Sequence, residues 1–203
     1  MNKKIKNIIK CSIVVVCLML FWMIFNSVLK TGTWLFDEPI NTFINKFFNP
    51  ILTTFCLILA RIGGRAGTAI LTIVLCIIST IKFKNKKMAI IIVINIFLIG
   101  LFNHFIKEYV QRLRPEYRMM DVAGYSFPSG HSMVSAAFYG FLIYLIYKNV
   151  KNKYVKYFSI IGLSLLVILI GISRIYLGVH YTSDVIAGFL ISISYLIIFT
   201  SVI

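Results

Sequence analysis

Negative charge is scarce in this chain. Of 203 residues only 6 are Asp or Glu, against 21 Lys and Arg, and charged residues of both signs reach just 13%. A soluble domain carries about a quarter charged residues, so this shortage excludes an ordinary water-facing surface. The apolar share of 60% points the same way and places the chain in the membrane class. Glu108, Glu116 and Asp121 lack ligand-like spacing, so no metal site is expected. The four cysteines, Cys11, Cys17, Cys56 and Cys76, lie in apolar stretches with no Cys-x-x-Cys pair and read as small buried hydrophobes. Repeats, low-complexity tracts and long linkers are also missing, so residues 1–203 read as one domain. A formal charge of +15 would suggest nucleic acid in a soluble protein. Here the basic residues punctuate apolar runs, no soluble domain exists to carry that role, and no protein partner is called for.

What is present is a series of apolar runs. They are Cys11–Leu29, Ala66–Ile81, Met88–Ile106, Ser132–Tyr147, Tyr157–Ser173 and Val185–Ile203. Each is near the length that crosses about 30 Å of hydrocarbon at about 1.5 Å per residue. The expected fold is all-α: a polytopic bundle of six membrane helices. The first run follows the basic segment Met1–Lys10 and lacks a small-x-small cleavage site, so it reads as an uncleaved span. Ile51–Ala60 is too short to span alone, and Arg61-Ile62-Gly63-Gly64-Arg65 should break a helix after it. Between Asp37 and Phe48, the residues Ile40, Phe43, Ile44, Phe47 and Phe48 share one helical face, with Pro39 in the first turn. This predicts a short amphipathic helix at the outer membrane surface.

Alternation through six spans puts 12 lysines, with no acidic residue, on one side (the N-terminal segment, Lys82–Lys87 and Lys148–Lys156). The other side holds 9 basic residues, including every Arg, and all the Asp and Glu. The positive-inside rule makes the lysine side cytoplasmic, with both termini there and any site among the longer opposite segments extracytoplasmic.

Three polar clusters fall at that opposite face. The first runs from Lys107 to Arg114-Pro115; the two cations are seven residues apart, so two helical turns would align them before Pro115 ends the helix. The second is Phe127-Pro128-Ser129-Gly130-His131-Ser132, a turn opening into a helix. Free N–H groups and the helix dipole favour an anion there; Gly130 allows close approach, Ser129 adds a hydroxyl, and His131 is placed to move a proton. The third is Ser173-Arg174 followed by His180 and Asp184. At i, i+4 the last two would share a helix face, the carboxylate fixing the imidazole tautomer and turning the other ring nitrogen outward as a nucleophile. Arg174 offers a bidentate guanidinium. Cations, N–H donors, a nucleophile, its orienting acid and a proton donor form the inventory of phosphoryl transfer.

In order, the clusters read Lys107-x6-Arg114-Pro115, Pro128-Ser129-Gly130-His131 and Ser173-Arg174-x5-His180-x3-Asp184. This resembles the type-2 phosphatidic acid phosphatase superfamily, with no departure from its three-part signature. The resemblance implies a membrane lipid phosphatase, independent of metal and cofactor, working through a phosphohistidine. His180 would attack phosphorus, Asp184 would support it, and His131 would protonate the leaving oxygen and then activate water. Lys107, Arg114, Ser129, Gly130 and Arg174 would hold the phosphoryl oxygens. It also implies a phosphorylated membrane lipid as partner, of the undecaprenyl diphosphate, phosphatidylglycerophosphate or phosphatidic acid class.

Other polar residues fit lesser roles. His104 suits an interhelical histidine, and Asn95 and Asn103 suit interhelical hydrogen bonds. Arg112 and Arg118 suit steering of an anionic head group; Arg61 and Arg65 suit interface markers. The alternative function is a non-catalytic transporter of anionic lipid or phosphate. It has no need of the His180–Asp184 pair or of His131.

Overall fold

Asparagine starts most of the long helices. Its side chain accepts from a free N–H of the first turn, which a helix emerging from apolar surroundings must satisfy. Asn2, Asn49, Asn85 and Asn152 do this for α1 (Lys3–Thr31), α3 (Pro50–Gly63), α5 (Lys86–Val110) and α7 (Lys153–Tyr176). Ser129 does it for α6 (Gly130–Asn149). The remaining helices are α2 (Asp37–Asn45), α4 (Arg65–Ile81) and α8 (Thr182–Val202). The structure is a computed structural model that describes residues 2–203; among them no strand occurs.

Helices α1, α5, α6, α7 and α8 are each long and apolar enough to cross a bilayer. The expected run Ala66–Ile81 forms α4. Helix α3, which holds Ile51–Ala60, adjoins it across a 49° bend at Gly64, and the pair together is long and apolar enough for the sixth crossing. The Gly63-Gly64 break was legible. Gly63 also packs so closely on Ile170 and Ser135 that a Cβ there would overlap both. Counting this pair as one span, the chain is a six-span, multi-pass membrane bundle.

Large apolar side chains such as Met19, Trp22, Phe97 and Phe158 face outward, as lipid contact demands. In the interior, small residues alternate with large ones: Ser132, Ser135, Ala136 and Ala137 of α6 are buried beside Met133, Phe138 and Phe141, and Ser192 of α8 donates to the Met133 carbonyl at 3.1 Å. The small residues let neighbouring helix backbones approach closely. Asn95 donates to Ala137 O at 3.0 Å and Asn103 to Pro128 O at 3.1 Å, the interhelical bonds expected of them.

Helix α2 ends three residues earlier than the predicted Asp37–Phe48. Asn49 caps the next helix and Pro50 occupies its first position, and proline biases the residue before it away from helix. Phe43 and Phe47 remain exposed, while Asp37 and Asn41 are buried toward the start of α8. The C-terminal ends of α5 and α7 and the N-terminal ends of α6 and α8 therefore gather at one end of the bundle, beside α2. The lysine-rich segments lie at the other, where Lys10 Nζ reaches Ser201 Oγ at 3.3 Å.

Candidate active site

The first cluster acts mainly through a loop. Helix α5 stops at Val110 because Gln111 turns left-handed (φ 50°), with its N–H closing on Lys107 O. Arg114 therefore does not continue the helical face of Lys107, as the seven-residue spacing suggested. The chain loops out and returns where Ser126 N–H bonds Arg112 O at 2.8 Å. Lys107 Nζ donates to the carbonyls of Tyr125 and Ser126. Arg114 donates to Gly124 O at 3.0 Å, Ala123 O at 3.3 Å and Val179 O at 2.8 Å. The two cations thus clamp the strand-like approach to Pro128-Ser129-Gly130-His131, and both reach one cavity from different segments.

His180 is reached by another route than expected. Helix α8 begins at Thr182, so His180 precedes it, and the turn through Gly178 (φ 66°) brings the ring back. The pairing itself forms: His180 Nδ1 lies 3.2 Å from Asp184 Oδ2, which also accepts from Tyr181 N–H at 2.9 Å and from the Ser126 hydroxyl. On the other side, Nε2 lies 3.2 Å from Arg114 Nη1. A guanidinium can only donate, so Nε2 must accept and the proton must sit on Nδ1, facing the carboxylate. Two independent neighbours thus require the same tautomer. Burial pulls the His180 pKa down to about 3 against the Asp184 hydrogen bond and charge, which raise it. The ring is therefore neutral at pH 7, with its lone pair on Nε2. Burial also lowers the Arg114 pKa, with Asp184 opposing; the guanidinium stays cationic at pH 7.

A cavity of about 620 Å³ opens at this point. Its wall includes Lys107, Arg114, Gly130, His131 and His180. It extends between α4 and α5 past Arg65, Thr68, Ala69, Ile96, Gly100, Asn103 and His104. Arg174 lies behind this wall, 1% exposed, and its Nε and Nη1 atoms find no hydrogen-bond partner among the described residues. A buried guanidinium with orphaned donors is costly unless an anion meets it. Ser129 is fully buried and does not line the cavity; its hydroxyl caps α6 and accepts from Ser132 Oγ at 3.0 Å. Gly130 does line it, and a Cβ there would come within 3.0 Å of Asn103 Oδ1.

Three expectations need correction. Arg112 does not steer a head group: it is buried, donating to Asp184 Oδ1 at 2.6 Å, Asp37 Oδ2 at 2.7 Å, Ser183 Oγ at 2.7 Å and Gly32 O at 3.0 Å, with Tyr181 stacked 3.9 Å from its guanidinium. The Asp184 and Asp37 carboxylates override its burial and hold its pKa above the ordinary value. His104 is not an interhelical histidine. Its side chain is 65% exposed, 3.9 Å from Glu108 on the same helix, and it borders the cavity. Arg65 is more than an interface marker, since it too borders the cavity. Sequence reasoning missed Asp37 and Ser126 entirely. Asp37 had the pattern of an ordinary helix-start carboxylate, and nothing in the spacing links it to a segment 75 positions away.

Residues 87–203, which hold all three clusters, match the PAP2 superfamily. The chain belongs to that superfamily. Among curated proteins, phosphatidylglycerophosphatase B of Bacillus subtilis (strain 168) is 40% identical over 92 residues, 44% of this chain. The matched stretch is 45% of that protein's length. The PAP2 fold extends further. A crystal structure described as the first transmembrane PAP2 type phosphatidylglycerolphosphate phosphatase, from Bacillus subtilis, superposes with a TM-score of 0.85 at 24% identity, over 93% of this chain and 94% of that one. Aquifex aeolicus LpxE gives 0.66 at 24% identity, over 84% and 98%. These two likenesses establish the fold, which is the six-span bundle described above.

Proposed function

We propose that this PAP2 protein removes phosphate from a membrane lipid through a covalent phosphohistidine at His180. The observation that carries the reading is the state of His180: a neutral imidazole, its Nδ1–H held by Asp184, its Nε2 lone pair turned toward a cavity bordered by Lys107, Arg114 and His131.

A phosphoryl group in the cavity draws the Arg114 guanidinium from Nε2 onto its own oxygens, which frees the lone pair. Nε2 forms the N–P bond as the P–O bond to the lipid breaks, and the oxygen leaves with the electron pair. His131, which takes up a proton as the phosphoryl anion binds beside it, gives that proton to the leaving oxygen. The resulting neutral His131 then takes a proton from a water that attacks phosphorus, the N–P bond breaks, and inorganic phosphate is released with His180 restored. Lys107, Arg114 and Arg174 balance the charge on the phosphoryl oxygens, and Gly130 lets them approach the N-terminus of α6. Ser129 contributes by fixing that helix end.

Tail approach from the bilayer between α4 and α5 fits the cavity's course past Ala69, Ile96 and Gly100. The cations collect the head group at the membrane surface. Positive-inside reasoning supports an extracytoplasmic site with both termini cytoplasmic. Phosphatidylglycerophosphate leads the substrate panel because the curated relative bears that name, followed by undecaprenyl diphosphate and phosphatidic acid.

The test is phosphate release by purified protein from these three lipids, wild type against His180→Ala. Wild-type turnover with loss in the folded variant is expected. Undiminished turnover by His180→Ala would remove the phosphohistidine from the mechanism.

A further inference from the structure

Two charged side chains behind His180, Arg112 and Asp37, have no part in the scheme above. Arg112 joins Asp37 to Asp184, and the exposures of these side chains are 4%, 3% and 0%. They come from three separate segments: Asp37 from the first turn of α2, Arg112 from the loop after α5, and Asp184 from the first turn of α8. Asp37 is fully engaged. Its Oδ1 accepts from Ser183 N–H at 2.8 Å, and its Oδ2 accepts from Ser183 Oγ at 2.8 Å, Arg112 at 2.7 Å and Trp34 N–H at 3.0 Å. Burying two carboxylates for one guanidinium is expensive for stability alone, so the surplus negative charge calls for another account.

Charge movement in the reaction supplies it. With His180 neutral, the group holds one cation against two anions. When Nε2 bonds to phosphorus the ring becomes an imidazolium, and its Nδ1–H faces Asp184 Oδ2 at 3.2 Å. An isolated Arg112–Asp184 pair would already be neutral and would attract that new charge weakly. Asp37 occupies one arm of the guanidinium and leaves Asp184 with charge to spare for the ring. The site then gains attraction as the transition state forms, which is what acceleration requires.

We propose that Asp37 is a positioning residue for the reaction. Through Arg112 it fixes Asp184 and leaves it the negative charge that the imidazolium at His180 demands. The inference rests on His180 being the nucleophile. It also makes α2, whose Phe43 faces outward, part of the catalytic framework.

The test measures kcat and KM for Asp37→Asn, Arg112→Gln and the double variant, with melting temperature as the control on folding. Neither residue touches substrate, so kcat should fall and KM should hold. For Asp37→Asn the expected loss in kcat is about 10- to 100-fold, at or below the ~10²–10³ typical of losing a group that contacts the reacting atoms. Arg112→Gln leaves two unneutralised carboxylates behind His180, which favour a protonated resting ring and so cost the nucleophile its lone pair; the double variant removes one of them and returns the local balance to one surplus negative charge. Its kcat should therefore exceed that of either single variant, a coupling that independent structural lesions would not produce. If Asp37→Asn fails to fold, the comparison of Arg112→Gln with the double variant decides alone: charge balance raises kcat on adding the second change, and mere packing lowers it. A double variant no better than the poorer single, or a change confined to KM, overturns the proposal. Failure of the parent reading is separate, since it shows as activity retained in His180→Ala.

Discussion

Replacing Arg174 with Met should leave the free protein as stable as before, or more so, while removing most of its response to phosphate. Arg174 is 1% exposed, and two of its nitrogens, Nε and Nη1, lack partners among the described residues. A buried donor left unmade costs about 1–3 kcal/mol, and more when charged. Most large buried side chains stabilise the fold, but this one stabilises it only once an anion arrives. A methionine of similar length keeps the packing and discards the unpaired charge.

The ligand arm of this prediction follows from the same two atoms. A charge-assisted hydrogen bond is worth about 1.5–3 kcal/mol, so losing the guanidinium should weaken phosphate binding by roughly 10- to 150-fold. At inorganic phosphate near 100 times the wild-type Kd, linkage stabilises the wild type by about 2.7 kcal/mol. With a Kd about 100-fold weaker, the variant would gain only about 0.4 kcal/mol at that concentration. The assay is thermal unfolding in detergent across a phosphate series, with chloride holding ionic strength constant. Equal phosphate stabilisation of both proteins would refute the reasoning. So would a ligand-free variant destabilised by the 2–5 kcal/mol or so typical of an ordinary core truncation.

His131→Ala should slow phosphomonoester lipids more than diphosphate lipids, because an alkoxide leaving group needs a proton more than a phosphate does; equal losses in kcat would exclude His131 as the acid. His180 should stay neutral below pH 6, with the proton on Nδ1. The unfolded ring titrates near 6.5 and the folded one near 3. The depressed pKa means that the stability this site provides is complete above about pH 6.5 and is lost as pH falls toward 3. The loss is about 2 kcal/mol by pH 5, read as a melting-temperature drop that His180→Asn should not share; an imidazolium signal for His180 at pH 6 by ¹⁵N NMR would contradict this.

Hydropathy made the spans legible because a helix in lipid must be apolar for its whole length, and that constraint is written in consecutive residues. The Gly63-Gly64 bend was legible for a related reason, since breaking a helix is a local event. Side-chain placement was less so. The Lys107–Arg114 spacing suggested a continuous helix, and the left-handed Gln111 ends it, yet a return loop brings both cations to one cavity. The His180–Asp184 contact was inferred from a helical face and arises instead from a turn before α8. Arg112 and Asp37 were invisible as a pair because their partnership is tertiary. Neither has unusual local context, and their meeting depends on where α2 folds back against α8.

The scarcity of carboxylates gains a meaning from this geometry. All six lie at the site end in sequence order, yet none borders the cavity among the described residues, while Arg65, Lys107 and Arg114 do. Negative charge stands behind the His180 ring, as Asp184 and Asp37, and positive charge stands in front. In the proposed reaction this polarity would attract a phosphate dianion to one face of the imidazole and favour the cationic ring formed as the phosphoryl group transfers. Placing a carboxylate in front should undo the first effect without the second. Ala69 offers the position: it is exposed on α4 and borders the cavity. A unit charge about 8 Å from a phosphate oxygen at an effective dielectric of about 20 costs roughly 2 kcal/mol per unit of phosphate charge. Ala69→Asp should therefore raise KM by about 10-fold or more, with a smaller change in kcat, and higher salt should narrow the gap. Ala69→Asn puts the same polar bulk on the tail's path without the charge and should raise KM less. Equal KM values for the Asp and Asn variants would mean that the cavity's positive wall does not collect the substrate, and the electrostatic reading of this surface would fall with it.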